Sequence, residues 1–302
     1  MMKKNRKRNG IYREKDFYIF VGLWIIGFIA FTLIPMGYSL YASFTKWDGV
    51  SAPQFNGVQN YIRMFVQDER FWGSLKNTLY YMVVSVPLNI GIALLLAILL
   101  NKRLPGTNIF RGIIYAPSVL AGVAVYMGWT YLYGNDTGMI NHLLYKIFHI
   151  IGPSWLQDAN WAMTALIIMN VFTCGSVMLI ILAGLQDVPA IYYEAAKLDG
   201  ASPFKMFIKI TMPMLSPVLF YVLIMQVIGA LQIFTQPYIM TQGGPMFSTY
   251  TFGLHLYNQA FRYYDFGYSC ALAWVLFTVI MLISIVIFMS SKLWVFYRED
   301  VD

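Results

Sequence analysis

The residues best placed to do chemistry in this 302-residue chain are not an acid, a base and a nucleophile. They form a block between two very apolar stretches, Tyr193-Glu194-Ala195-Ala196-Lys197-Leu198-Asp199-Gly200-Ala201 followed by Ile208-Lys209-Ile210-Thr211-Met212-Pro213. Pro189 sets a start, and Ala190 to Leu198 are good helix formers, with Tyr192, Ala195, Ala196 and Asp199 on neighbouring faces, so a short amphipathic helix is expected. Gly200 tolerates positive φ, and Ser202-Pro203 reads as an N-cap with proline at the first helical position. The block thus predicts a helix, a sharp turn and a second helix. Small Ala195 and Ala196 would let another protein approach closely, while Glu194 offers a charge to pair with a basic group on it. The other reading is an ordinary amphipathic connector on the membrane surface.

A second set of residues is polar, uncharged and embedded in apolar runs: Asn170, Thr173 and Ser176, then Gln226, Gln232, Thr235 and Gln236, with Gly229 on the face of Gln226. Polar groups in lipid are costly unless they face a cavity or another helix, so these are candidates for a solute pathway. Interhelical hydrogen bonding is the competing reading. No Lys, Arg, Asp or Glu lies deep in these stretches, which suits a neutral solute. His142, His149 and His255 have neither HExxH nor paired-ligand spacing, so no metal site is expected. Cys174 and Cys270 fall in apolar runs and read as small buried residues rather than a disulfide. No P-loop occurs, so if ATP drives this chain another protein binds it.

The elements that must position these residues are membrane helices. The chain is 59% hydrophobic and only 12% charged, with mean hydropathy +0.59. Six stretches are long enough to span a bilayer, at 17–45, 76–100, 110–133, 161–184, 214–240 and 267–291. The expected fold is an all-α, six-helix membrane domain over 17–291, with a basic arm at 1–16 and a tail at 292–302. The first run is too long for a signal peptide and no Ala-x-Ala-like site follows it. With both termini inside, fifteen Lys and Arg face the cytoplasm against six outside (Lys46, Arg63, Arg70, Lys76, Lys146 and Arg262). The positive-inside rule therefore puts the loop at about 185–213 in the cytoplasm. The basic arm explains the net charge of +7 as a topology signal that can meet anionic lipid headgroups, not as a nucleic-acid site.

Glu194-Ala195-Ala196, Gly200, Ile210 and Pro213 resemble the EAA signature of ABC importer permeases. Further landmarks are similar to the carbohydrate (maltose and glycerol-3-phosphate) group: Gly57-Val58-Gln59-Asn60-Tyr61, Phe110-Arg111-Gly112 with Pro117, Thr241-Gln242-Gly243-Gly244-Pro245, Ala260-Phe261, and Phe266-Gly267-Tyr268-Ser269. The resemblance covers about 17–291. Unlike the eight-helix enterobacterial maltose permease, this chain carries no two extra N-terminal helices and no large periplasmic insert.

The resemblance implies a type I ABC importer permease in a bacterial inner or plasma membrane, paired with a second homologous permease. Two copies of a sugar-type ATPase would sit beneath, holding the ATP and Mg that this chain does not bind. An extracytoplasmic solute-binding protein would deliver the sugar. Glu194, Ala195, Ala196, Asp199, Gly200, Ile210 and Pro213 would seat the ATPase, and ATP-driven closure would switch the pathway between its two openings. The outer segments 46–75, 134–160 and 241–266 carry Trp47, Trp72, Trp155, Tyr257, Tyr263 and Tyr264, either as an interfacial belt or as a lip that stacks on sugar rings. A secondary transporter is the alternative, but no inverted repeat or mid-helix carboxylate supports it. A membrane enzyme would need a clustered nucleophile and base or metal ligands, and none is present.

Overall fold

The computed structural model describes residues 18–19, 21–102, 105–120, 122–135 and 138–296. The basic arm, Arg103 and residues 297–302 of the tail lie outside the described residues. Helices dominate, and the chain divides into two compact units: residues up to Gln67 with Gln259–Val275, and Asp68–Asn258 with Leu276 onward.

In the first unit, α1 (Val21–Ser43) leads to a short antiparallel hairpin of β1 (Thr45–Lys46) and β2 (Gln54–Phe55), then α2 (Gln59–Val66). The hairpin turns on Asp48, which accepts from the Ser51 hydroxyl at 2.7 Å and from the Ser51 and Val50 amides at 2.8 and 3.0 Å. Those donors, the Ser51 hydroxyl first, hold the Asp48 carboxyl down at about 2. Gly49 has φ +86, and a Cβ there would meet the Phe266 ring at 2.7 Å. Buried Asn60 donates to the Ser43 and Thr45 carbonyls at 2.8 and 2.9 Å, and the Gly267 amide donates to the Trp47 carbonyl at 3.0 Å. Two sequence landmarks more than two hundred residues apart therefore grip the same strand.

The second unit is built on α3 (Glu69–Leu100), which packs against α7 (Ala162–Phe172), α8 (Gly175–Gln186), α10 (Pro203–Leu231) and α12 (Phe252–Tyr257). Its buried stripe reads Ser74, Thr78, Tyr81, Ser85, Asn89, Ala93, Ala97 and Leu100, at helical three- and four-residue spacing. The N-terminal half of the stripe is mainly polar and the C-terminal half is alanine ending in Leu100. Small side chains let helices approach closely where lipid offers no hydrophobic drive. Ala93 and Ala97 accordingly share a core with Val177, Met178, Ile181 and Leu215. Helix α3 starts earlier than the hydropathy suggests because Asp68 caps it, accepting from the Arg70 amide at 2.8 Å. It also runs unbroken through Pro87.

Among the described residues, four helices are long and apolar enough to cross a membrane, and two bent pairs bring the spans to six if each pair is one span. The expected third span divides into α4 (Thr107–Val119) and α5 (Gly122–Leu132), with Leu120 extended after Pro117 removes a helical donor. A short α6 (Met139–Phe148) follows. The fourth span bends by 45° between α7 and α8, where the Thr173 hydroxyl bonds back to the Asn170 carbonyl at 2.8 Å. Then come α9 (Ala190–Leu198) and α10. The expected helix at 214–240 starts at Pro203, stops at Leu231 and restarts as α11 (Thr235–Met240). Pro237 explains the break, since in one continuous helix its ring would strike the Ile233 carbonyl, whereas in the first turn of α11 its missing N–H costs nothing. The last helix is α13 (Phe266–Ser291). Both cysteines are free, with Cys174 buried.

Gly175 sits at the α7–α8 bend, where a Cβ would collide with the Ile114 carbonyl oxygen and stand 2.8 Å from Tyr115 Cα. Gly175→Ala should therefore cost about 1–3 kcal/mol by overpacking, read as a drop of roughly 3–10 °C in the detergent melting midpoint. Gly229→Ala, which meets nothing within 4 Å, should leave the midpoint unchanged. For Asp48, a carboxyl-carbon NMR titration should show a midpoint near 2 instead of the ordinary 3.8, moving back up in Ser51→Ala. Because the folded value is the depressed one, the turn's stabilisation is complete above pH 3.8 and is lost as pH falls through about 2.

Candidate functional site

Two sites in the second unit draw on the residues singled out by sequence. The first is a cavity of about 330 Å³ bounded by α3, α5, α7, α10 and α11. Of the expected pathway residues, Asn170, Gln226, Gly229, Gln232, Thr235 and Gln236 line it, while Thr173 and Ser176 do not. Thr173 spends its hydroxyl on the helix bend, and Ser176 lies beyond the bend, exposed. The geometry follows from two interruptions. The 45° bend after Phe172 leaves Asn170 at the end of α7, and the stop at Leu231 turns Gln232 and Thr235 out of helical register.

The lining residues divide by how far their polar groups are already satisfied. Buried Gln236 is fully engaged: its amide donates to the Leu166 carbonyl at 2.6 Å, and its oxygen accepts from the Tyr81 hydroxyl at 3.1 Å. It joins α11 to α7 and α3 and is a packing amide at the cavity wall. Among the described residues, Gln226, Gln232 and Thr235 find no side-chain hydrogen-bond partner, and they are available to a ligand. Asn170 is intermediate. Its oxygen and its carbonyl both accept from Asn89 at 3.0 Å, which fixes its orientation and leaves its own NH2 to the cavity. Tyr81, Ser85, Tyr126 and Met225 complete the wall, together with Ala230, Ile233 and Phe234. Their contribution was hidden in sequence because aromatic and small residues in apolar runs look alike whether they face a core or a cavity. No acidic or basic side chain lines the cavity.

The second site is α9 and its exit. Ala190–Leu198 forms the expected helix, and Gly200, at φ +73, ends it as a left-handed cap. The Gly200 amide bonds to the Lys197 carbonyl at 3.0 Å and the Ala201 amide to the Ala196 carbonyl at 2.9 Å, the paired pattern of a Schellman motif. Ser202 then caps the next helix, accepting from the Lys205 amide at 3.3 Å. That second helix is not confined to the loop, since it continues into the span α10. Pro213 lies within it, where its ring would press on the Lys209 carbonyl of a regular turn. A wider π turn over Phe207–Thr211 absorbs it, with the Met212 amide reaching Phe207. Ile210 is half-buried in that turn.

One contact ties α9 to the membrane helix. The Tyr193 and Thr211 hydroxyls are 2.9 Å apart, and Thr211 is buried. Neither was singled out by sequence, though Tyr193 adjoins Glu194. The opposite side of α9 presents an apolar stripe of Ile191, Ala195 and Leu198 at i, i+4 and i+7, with Ile191 68% and Leu198 90% exposed. Glu194, Lys197 and Asp199 are exposed around it. Such a stripe on a short helix held at one end by a hydroxyl pair can take up a partner's apolar groove.

The chain as a whole is similar to known proteins. The model of the binding-protein-dependent transport system inner membrane component family matches residues 89–296. The probable ABC transporter permease protein YesP of Bacillus subtilis is 44% identical over 285 residues, covering 93% of this chain and 92% of its own. The lactose transport system permease protein LacF of Rhizobium radiobacter is 34% identical over 287 residues, covering 93% and 95%. A chain in the crystal structure of a bacterial ABC transporter involved in import of the acidic polysaccharide alginate shares the fold, with TM-score 0.81 at 21% identity over 95% of this chain and 99% of that one. The chain belongs to the binding-protein-dependent transport system inner membrane component family, as a membrane-spanning permease subunit of an ABC transporter and not an enzyme.

Proposed function

We propose that this chain carries a neutral sugar or oligosaccharide into the cytoplasm by alternating access, with ATP and Mg held by a separate ATPase that docks on α9. The observation that carries the reading is α9 itself: an exposed apolar stripe, a charge at Glu194, a left-handed glycine exit and a hydroxyl tie to α10. That construction is a rigid lever. A push on α9 is passed through Tyr193 and Thr211 to the π turn at the foot of α10, and α10 carries Gln226 and Gly229 into the cavity. The uncharged lining offers amides and a hydroxyl to sugar hydroxyls without a fixed charge to repel or trap them. The relative named for lactose transport supports the same substrate class. The volume lies at the small end of ligand cavities, fitting a short segment of glycan.

The assembly that completes this reading pairs the chain with a second homologous permease above two copies of a sugar-type ATPase. An extracytoplasmic solute-binding protein supplies the sugar, membrane lipids surround the spans, and both termini are cytoplasmic. A crystal structure of a bacterial alginate ABC transporter in complex with a periplasmic protein bound to an alginate pentasaccharide holds a partner of that kind for that transporter.

Two predictions test the two sites. Glu194→Lys and Gly200→Trp should each lower co-purified ATPase or uncouple its hydrolysis, with uptake reduced about tenfold or more and membrane insertion intact. Normal uptake in both would remove α9 from the coupling role. In the cavity, Gln226→Ala and Asn170→Ala should lower sugar-stimulated turnover without altering sugar affinity of the isolated binding protein, whereas equal activity would return both to packing. Gln236→Ala should behave differently, destabilising the fold by about 1–3 kcal/mol in a melt because it removes two buried hydrogen bonds, one from the Tyr81 hydroxyl and one to the Leu166 carbonyl.

A further inference from the structure

The first unit holds a cleft of about 360 Å³ that neither site above uses, walled by the hairpin, α2 and the segment just before α13. Its aromatic wall is Trp47, Tyr263 and Tyr264. Tyr263 and Tyr264 are 62% and 65% exposed, so neither ring serves the core. Tyr264 also has φ +56, a conformation that bulky residues avoid and that persists only where the surroundings impose it. Here the next residue imposes it: the Asp265 amide bonds to the Gln259 carbonyl at 2.9 Å, and its carboxylate pairs with Arg63 at 2.6 Å. The backbone is thus held in a strained form that leaves an aromatic face open on a cleft.

The polar wall shows what would bind. Its charges cancel, two cations (Lys46 and Arg63) against two carboxylates (Asp48 and Asp265), and three of the four are engaged. Asp48 holds the hairpin turn, while Arg63 pairs with Asp265 and stacks over the Tyr268 ring at 4.3 Å. The side chains of Gln59 and Gln67 find no hydrogen-bond partner among the described residues. Asn56 is anchored through its NH2 to Asn60 at 3.5 Å, but its Oδ1 is buried with no partner. That oxygen is closed off from solvent, so the groups a ligand can reach are the exposed Gln59 and Gln67 amides. Charges that cancel and flat aromatic faces beside those amides suit the apolar face and hydroxyl edge of a neutral sugar ring.

We propose that this cleft is a binding site for a neutral, hydroxyl-rich glycan ring, distinct from the membrane cavity in the residues that form it. It rests on the importer reading only for why a glycan should reach this part of the chain. The exposed amides of Gln59 and Gln67 bind ring hydroxyls, and Tyr264 lies against the ring.

The test is saturation-transfer NMR on the full chain in lipid nanodiscs, with maltotriose, cellotriose and xylotriose as neutral probes and trigalacturonate as the acidic comparison. At least one neutral trisaccharide should take up saturation from the wild type. Its affinity should fall about tenfold in Tyr264→Asn, which removes the ring while tolerating left-handed φ, and in Gln59→Leu on exposed α2. Ile151→Ala, 88% exposed and outside both sites, should leave it unchanged. No neutral signal from the wild type, unchanged binding in both cleft variants, or binding of trigalacturonate alone would each overturn the proposal. Should Tyr264→Asn fail to fold, Gln59→Leu decides. Failure of the importer reading is seen separately, as full uptake in Glu194→Lys and Gly200→Trp whatever the cleft binds.

Discussion

Inside a bilayer a polar side chain has no water to fall back on, and in the larger unit of this protein that constraint falls mainly on one helix, α3. Its buried stripe must find partners for the hydroxyls and amides it carries, or else be small enough to bring another helix close. It does both. The Thr78 hydroxyl accepts from the Phe252 amide at 2.8 Å, Tyr81 donates to Gln236, and Asn89 donates to Asn170. Further along, Ala93 and Ala97 take over and the contact becomes purely steric. The cavity opens within the polar half of the stripe, at Tyr81 and Ser85. The same satisfaction rule that assembles the unit therefore decides which polar groups remain for a ligand: Gln236 is consumed by packing, and Gln226, Gln232 and Thr235 are not.

Breaks in helices are the second device. Prolines and a threonine fall within segments that hydropathy alone would draw as straight rods, and their outcomes differ. Pro87 passes without a break. After Pro117 the helix stops within three residues, Pro213 is absorbed by a π turn, and Pro237 forces a new helix to begin. Thr173 bends its span by bonding to its own helix. Two of these sites, the stop before Pro237 and the bend at Thr173, shape the cavity. The π turn before Pro213 lies at the foot of the lever that joins α9 to α10. Irregular backbone is tolerated at membrane depth where it is buried in protein or lines a cavity, and the cavity walls follow that rule.

Much of this protein was legible in its residues. Apolar runs of about 20 residues identify membrane spans because the bilayer thickness sets their length, and the period of good helix formers between Pro189 and Gly200 predicted α9 to the residue. The left-handed turn at Gly200 and the cap at Ser202 were equally local, since each depends on the conformational preference of one or two residues. Family membership came from the same block, because its spacing is short-range and does not depend on how the spans pack.

What only the tertiary structure decided is long-range. Sequence could nominate Asn170, Thr173 and Ser176 together, but a 45° bend sends them to different surroundings. It could place Gln236 beside Gln232, yet whether an amide is spent on packing depends on Tyr81 and Leu166, far away in the chain. The Tyr193–Thr211 tie, the grip of Asn60 and Gly267 on one strand, and the orphaned Asn56 oxygen were likewise invisible. A residue type and its spacing determine what a side chain can donate or accept. Only packing determines which of those capacities is already used.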